Sequence, residues 1–89
     1  MKANNVLVKK GYTFFEDSHY LTYNRDASKN VFTQIKVSID DLTVKCTEYV
    51  LYEDGYHEHP MALTEELVKA VLNVINDAKE KRNKDDKEN

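Results

Sequence analysis

The chain has 89 residues, 40% of them hydrophobic and 33% charged, with a net charge of −3. That length supports one domain and leaves no room for a second core. No apolar run is long enough for a membrane span, and the negative net charge argues against duplex nucleic acid, whose phosphates need clustered Lys and Arg.

Further bounds follow from composition. A domain this small buries only roughly 60–65% of the surface its unfolded chain exposes, and oligomerisation would relieve that. Cys46 is the lone cysteine, so no internal disulfide staples the fold. A reducing, cytosolic setting is the natural expectation. The first ten residues hold too few apolar side chains for a signal peptide. Charge is uneven along the chain. Residues 79–89 carry five basic and four acidic groups, leaving eight basic and twelve acidic groups in residues 1–78. Between Glu48 and Glu66 there are six acids and no Lys or Arg.

In chain order, residues 1–11 admit two readings. Val6, Leu7 and Val8 favour a strand. Alternatively, Asn4 or Asn5 caps a short helix that ends at Gly11 in the left-handed conformation. Tyr12 to Glu16 reads as a strand, and Asp17-Ser18 as a turn. His19 to Tyr23 returns, with Leu21 and Tyr23 on one face and Tyr20 and Thr22 on the other. Arg25 to Asn30 reads as a polar loop.

Val31 to Ile39 is the cleanest strand. Val31, Thr33, Ile35, Val37 and Ile39 alternate with Phe32, Gln34, Lys36 and Ser38, so one face meets a core and the other meets water. Asp40-Asp41 makes a short turn. The next strand opens with Leu42, Val44 and Cys46 inward. Its pattern then slips, because Glu48 falls on an inward position while Tyr49 and Leu51 are apolar on the other phase. A β-bulge near Thr47, or a new strand, would account for the slip. Glu53 to Met61 reads as a turn or loop, bent at Asp54-Gly55 and closed by Pro60.

The strongest helix signal runs from Thr64 to Arg82. Thr64 is placed as N-cap, Glu65 and Glu66 put negative charge in the first turn, and Lys79, Lys81 and Arg82 put positive charge in the last turns. Leu63 and Val68 are spaced as a hydrophobic staple. At about 100° per residue, Leu67, Val71, Val74, Ile75 and Ala78 share one side. Val68 and Leu72 widen it in one direction and Ala70 in the other, leaving Lys69, Asn73, Asn76 and Asp77 for water. So wide an arc fits a helix sunk deeply into a curved sheet. It also fits a flank at Val68 and Leu72 that meets a second chain. Residues 83–89 contain nothing apolar and are expected to fray or be disordered.

Few residues suggest chemistry. In an extended segment His57 and His59 point the same way and are weak metal candidates, with Asp54 nearby, but the usual zinc spacings are absent. The simpler reading is two solvent-facing histidines in an acidic loop. Asp17-Ser18-His19 has the residue types of a hydrolase triad, yet adjacent residues cannot form that geometry. Cys46 lies on an apolar strand face, where a thiol is usually a small buried hydrophobe. Asp40-Asp41 reads as a solvated turn, and Gly11 and Gly55 make no phosphate loop. Neither an enzyme nor a cofactor is expected.

The tyrosines point elsewhere. The sequence has six tyrosines and no tryptophan, and tyrosine is favoured at protein interfaces. Tyr49, Tyr52 and Tyr56 sit among Glu48, Glu53, Asp54 and Glu58. Tyr49 fits as cover for the sheet, and Tyr52 and Tyr56 fit as exposed contacts. An acidic surface with tyrosines suits a partner with a basic surface. Stacking of single-stranded nucleic acid on the rings competes, but the basic groove it needs is missing.

The order Lys9-Lys10-Gly11-Tyr12-Thr13-Phe14, strands around Tyr20 to Tyr23 and Ile35 to Ile39, then Leu63-Thr64-Glu65-Glu66-Leu67, resembles small proteins of bacterial phages and prophages. The resemblance spans most of residues 9–80 and lies in pattern and size. It implies an interaction protein acting in the host cytoplasm, for example an inhibitor or modulator of a host protein, and carries over no catalytic residue.

These readings combine into an α+β fold. Residues 1–82 form one domain, a three- to five-stranded antiparallel sheet, mainly meander, with one C-terminal helix packed on one face. The expected function is a non-enzymatic protein-binding module. Its contact residues would be Glu48, Tyr52, Glu53, Asp54, Tyr56 and Glu58. The alternative is a structural subunit that self-associates as a homodimer through Val68 and Leu72.

Overall fold

The computed structural model describes residues 2–88 and shows a five-stranded antiparallel meander with two helices. The elements are α1 (Asn5–Lys9), β1 (Thr13–Glu16), β2 (Tyr20–Ser28), β3 (Val31–Ser38), β4 (Val44–Tyr52), β5 (Gly55–Pro60) and α2 (Glu65–Glu88). The strands lie in the sheet in chain order.

The N-terminal alternative resolves to the short helix. Asn4 Oδ1 accepts the Leu7 N–H at 3.1 Å, which satisfies one donor of the first turn. Gly11 leaves the helix at φ +96°, a conformation that costs other residues a Cβ clash. Capping puts Leu7 fully inside the core.

Asp17 shapes the β1–β2 turn. Its carboxylate accepts the His19 and Tyr20 N–H groups at 2.7 and 2.8 Å. Those bonds hold its pKa below the usual carboxylate value, the His19 bond most. The expected polar loop at Arg25–Asn30 is a correction. β2 runs on to Ser28 with a register shift between Asp26 and Ser28. Arg25 and Asp26 pair with Thr33 and Phe32, so backbone pairing overrides the polar composition.

β4 needs no bulge at Thr47. It pairs without a break with β3 from Val31↔Val50 to Val37↔Val44, and with β5 from Thr47↔Pro60 to Tyr52↔Gly55. β4 starts at Val44, two residues later than expected. Leu42 lies in the connection at φ +61°, in the left-handed region. Asp41 holds that connection, accepting the Thr43 N–H at 3.1 Å and its hydroxyl at 2.8 Å. Leu42 nevertheless packs against the core.

One sheet face carries the core. Directly opposed residues share a face, so Leu21↔Val37, Tyr23↔Ile35, Ile35↔Cys46 and Val37↔Val44 make a continuous apolar surface. α2 lies on it, mainly against β3, and touches α1 along one side. Ala70, Val71, Val74 and Ala78 are buried, while Leu67 and Ile75 are half-buried. Thr64 caps α2 as expected, its Oγ1 accepting the Leu67 N–H at 3.2 Å. Lys10–Glu66 at 3.2 Å and Lys81–Glu16 at 2.8 Å pin α2 near both ends of its packed stretch.

Three features of α2 differ from expectation. The helix extends to Glu88, past the expected end at Arg82, and Asn89 lies outside the described residues. Its residues are mostly good helix formers, and propagation past an anchored segment needs no new nucleus. Asp77 is half-buried on the Ala70 flank, and burial raises its pKa, helped by Glu80. Finally, the arc does not sink whole into the sheet. Ala70 is buried, but Val68 and Leu72 are 42% and 55% exposed.

Buried polar groups are paired. The Asn4 N–H donates to Tyr23 Oη at 2.8 Å, and Thr33 Oγ1 donates to Tyr12 Oη at 3.3 Å. Among the described residues, no buried side-chain nitrogen or oxygen lacks a partner. No helix among them is long and apolar enough to cross a membrane.

Candidate protein-interaction surface

The stretch Tyr52–His59, expected as a loop, is a β-hairpin turning at Glu53 and Asp54. Gly55 takes φ +119° as the chain enters β5. The strand escapes sequence reading because Tyr-His-Glu-His-Pro lacks apolar alternation. Its warrant is pairing with β4 instead of a hydrophobic period.

Strand alternation splits the expected contact residues between two faces. Glu48, Tyr52, His57 and His59 point to the helix side, as Glu48↔His59 and Val50↔His57 pairing requires. Tyr56 and Glu58 point to the opposite face with Tyr49 and Leu51. Glu53 and Asp54 occupy the turn between the two faces.

On the helix side, the Tyr52 ring lies edge-on to His57 at 4.7 Å and to His59 at 6.3 Å. His57 Nε2 is 2.8 Å from Asp54 Oδ1. This pair is exposed, so it contributes at most a few tenths of a kcal/mol to roughly 1 kcal/mol. Among the described residues, no group of three or more His, Cys, Asp or Glu is arranged to hold a metal.

The open face carries a ring cluster. Phe32 of β3 stacks on Tyr49 of β4, with centroids 4.6 Å apart and planes at 17°. Tyr56 of β5 meets Phe32 edge-on at 5.4 Å. Leu51 lies opposite Tyr56 in the register. Tyr56 remains 57% exposed and Leu51 40%. Beside the rings is a shallow concavity of about 320 Å³ lined by Asp26, Ser28, Lys29, Val31, Phe32 and Tyr56. Lys45 Nζ stands 3.6 Å from Glu58 across the same face.

Phe32, Tyr49 and Leu51 thus share a face with Tyr56, whereas Tyr52 lies on the other side of the sheet. The signal for them was the apparent slip at Glu48. It records a strand that is apolar on both faces at one end. The reason is where α2 begins. A cleft lined by Lys10, Tyr12, Arg25, Thr64 and Leu67 marks the start of the helix. Arg25 pairs with Thr33, and Thr33 with Glu48, so the hairpin beyond Glu48 continues past the helix. Tyr52 is accordingly 49% exposed.

The remaining chemical candidates have local roles. His19 Nδ1 pairs with Asp40 Oδ2 at 2.9 Å, and Asp17 caps backbone N–H groups. The Asp17-Ser18-His19 residues therefore build a turn. Cys46 is half-buried, and burial pushes its thiol pKa up, away from the reactive thiolate.

Comparison of the chain with protein-family models, with curated proteins and with solved structures finds no match.

Proposed function

We propose that the chain is a non-enzymatic protein-binding module that presents its β4–β5 hairpin end to a basic protein surface. One observation carries this reading. The Phe32–Tyr49–Tyr56 cluster lies on the sheet face that no helix of the described residues covers, beside an acidic hairpin turn. Rings supply contact area at low entropic cost, and Glu53 and Asp54 in the turn supply negative charge that attracts cations. The concavity beside Tyr56 offers a partner side chain two ring walls flanked by the Asp26 carboxylate and the Lys29 ammonium, a setting suited to a polar or aromatic side chain. With the resemblance to phage and prophage proteins, this makes a modulator of a host cytoplasmic protein the preferred form.

The test has two steps. A nuclease-treated pull-down from the host lysate identifies the partner. Glu53→Lys with Asp54→Lys then slows association, most at low ionic strength. Binding that is unchanged in the double variant removes the hairpin turn from the interface.

A second reading is a subunit that self-associates through α2. Its support is the exposure of Val68 and Leu72 on a helix whose other apolar positions are covered. Val68→Glu or Leu72→Glu then reduces the solution mass to that of a monomer.

A further inference from the structure

We infer that the exposed flank of α2 is an isologous contact between two copies of this chain, in which the helices run antiparallel about a two-fold axis at Leu72. The inference rests on the self-association reading and specifies its partner and register. Leu63, Val68 and Leu72 are the large exposed hydrophobics at the start and along the flank of α2, at 41%, 42% and 55%. Val68 and Leu72 are one turn apart on one stripe, and neither faces the sheet.

The charges on that stripe choose the orientation. Glu65 lies seven residues before Leu72 and Lys79 seven residues after it, so all three share a face. In an antiparallel pair with Leu72 on the axis, Glu65 of each copy falls opposite Lys79 of the other. The contact therefore contains Leu72 against Leu72, flanked by two identical opposite-charge pairs. A parallel pair in the same register would set Glu65 against Glu65 and Lys79 against Lys79, which repel. Antiparallel packing also opposes the helix dipoles favourably.

The neighbours do not obstruct this arrangement. Glu65 presently pairs with Lys69 at 3.1 Å, an exposed i,i+4 contact with side chains 84% and 71% exposed. Such a pair is weak enough to share its carboxylate with a second cation. Lys79 is exposed, and Glu66 and Lys81 are engaged on the opposite flank with Lys10 and Glu16. A single helix pair buries less than the roughly 1,200 Å² of a standard interface, so the dimer is weak and concentration-dependent.

The test uses the full chain at increasing concentration, with mass read by sedimentation. A monomer–dimer equilibrium is expected. Glu65→Lys and Lys79→Glu each weaken it by about five- to tenfold, and the two together restore it. Leu72→Cys in a Cys46→Ala background forms a disulfide-linked dimer under mild oxidation, whereas Asn73→Cys does not. A monomer at every concentration overturns both the inference and the self-association reading. A dimer that ignores the charge reversals and does not cross-link through position 72 overturns the inference alone.

Discussion

Lys81 Nζ lies 2.8 Å from Glu16 Oε2 and donates a second bond, at 3.1 Å, to the Asp17 carbonyl. One ammonium thereby joins α2 to the end of β1, across a sequence separation of 65 residues. The Glu16 pKa lies below its usual 4.5, chiefly through the Lys81 hydrogen bond. A depressed carboxylate stabilises the fold above its unfolded value and loses that contribution as pH falls through the folded value. Lys81→Met should cost about 1 kcal/mol at neutral pH, and the difference from the parent should shrink in acid. Chemical denaturation at several pH values measures both effects.

Tyr23 connects the sheet to the start of α1. Its ring is 1% exposed and its oxygen accepts the Asn4 N–H. Tyr23→Phe keeps the packing against Phe14, whose ring is 4.8 Å away, but leaves that N–H without its acceptor. A loss of about 1–2 kcal/mol is expected. Burial raises the Tyr23 pKa above its usual 10.0. The stability tied to the neutral phenol is complete below the unfolded value and declines as pH rises through the folded one. The parent should therefore lose stability in strong alkali faster than Tyr23→Phe.

The two sides of α2 should respond differently to truncation. Val74 is fully buried, and Val74→Ala removes two methyl-sized groups from the core, costing about 1.5–3 kcal/mol. Leu72 is 55% exposed, and Leu72→Ala should change the stability of the monomer by less than about 0.5 kcal/mol. Urea melts at low protein concentration distinguish the two. Equal costs would show that the Leu72 flank is packed within the monomer.

Gly55 allows a conformational test of the hairpin. An added Cβ there meets nothing within 4 Å, so the penalty of Gly55→Ala comes from φ +119° alone. A cost of about 1–2 kcal/mol is expected, confined to the β4–β5 hairpin. Amide exchange should quicken in β5 and stay unchanged at the Lys81–Glu16 junction.

Cys46 should react slowly with thiol reagents at neutral pH, because burial raises its pKa and makes the thiolate scarce. Reaction in the native state at the rate of the unfolded chain would contradict its place on the core face.

Much of this fold follows from patterns local to the chain. The alternation from Val31 to Ile39 specifies a strand with one face on a core, because a period of two admits no other regular structure. Thr64, the paired glutamates and the apolar stripe through Val74 specify where α2 starts and which side it buries. Asp54-Gly55 and Asp17-Ser18 mark bends, because their side chains and conformational freedom act within a few residues.

Other features depend on distant neighbours. β5 has no hydrophobic period, and its strand conformation follows from pairing with β4. Phe32, Tyr49 and Tyr56 come from three strands, so only the register brings their rings together. Ala70 and Val68 widen the same arc in opposite directions, yet one is 1% and the other 42% exposed. The difference arises because α1 flanks the helix on one side only. Periodicity identifies which residues can share a face, but exposure depends on what the rest of the chain places over that face.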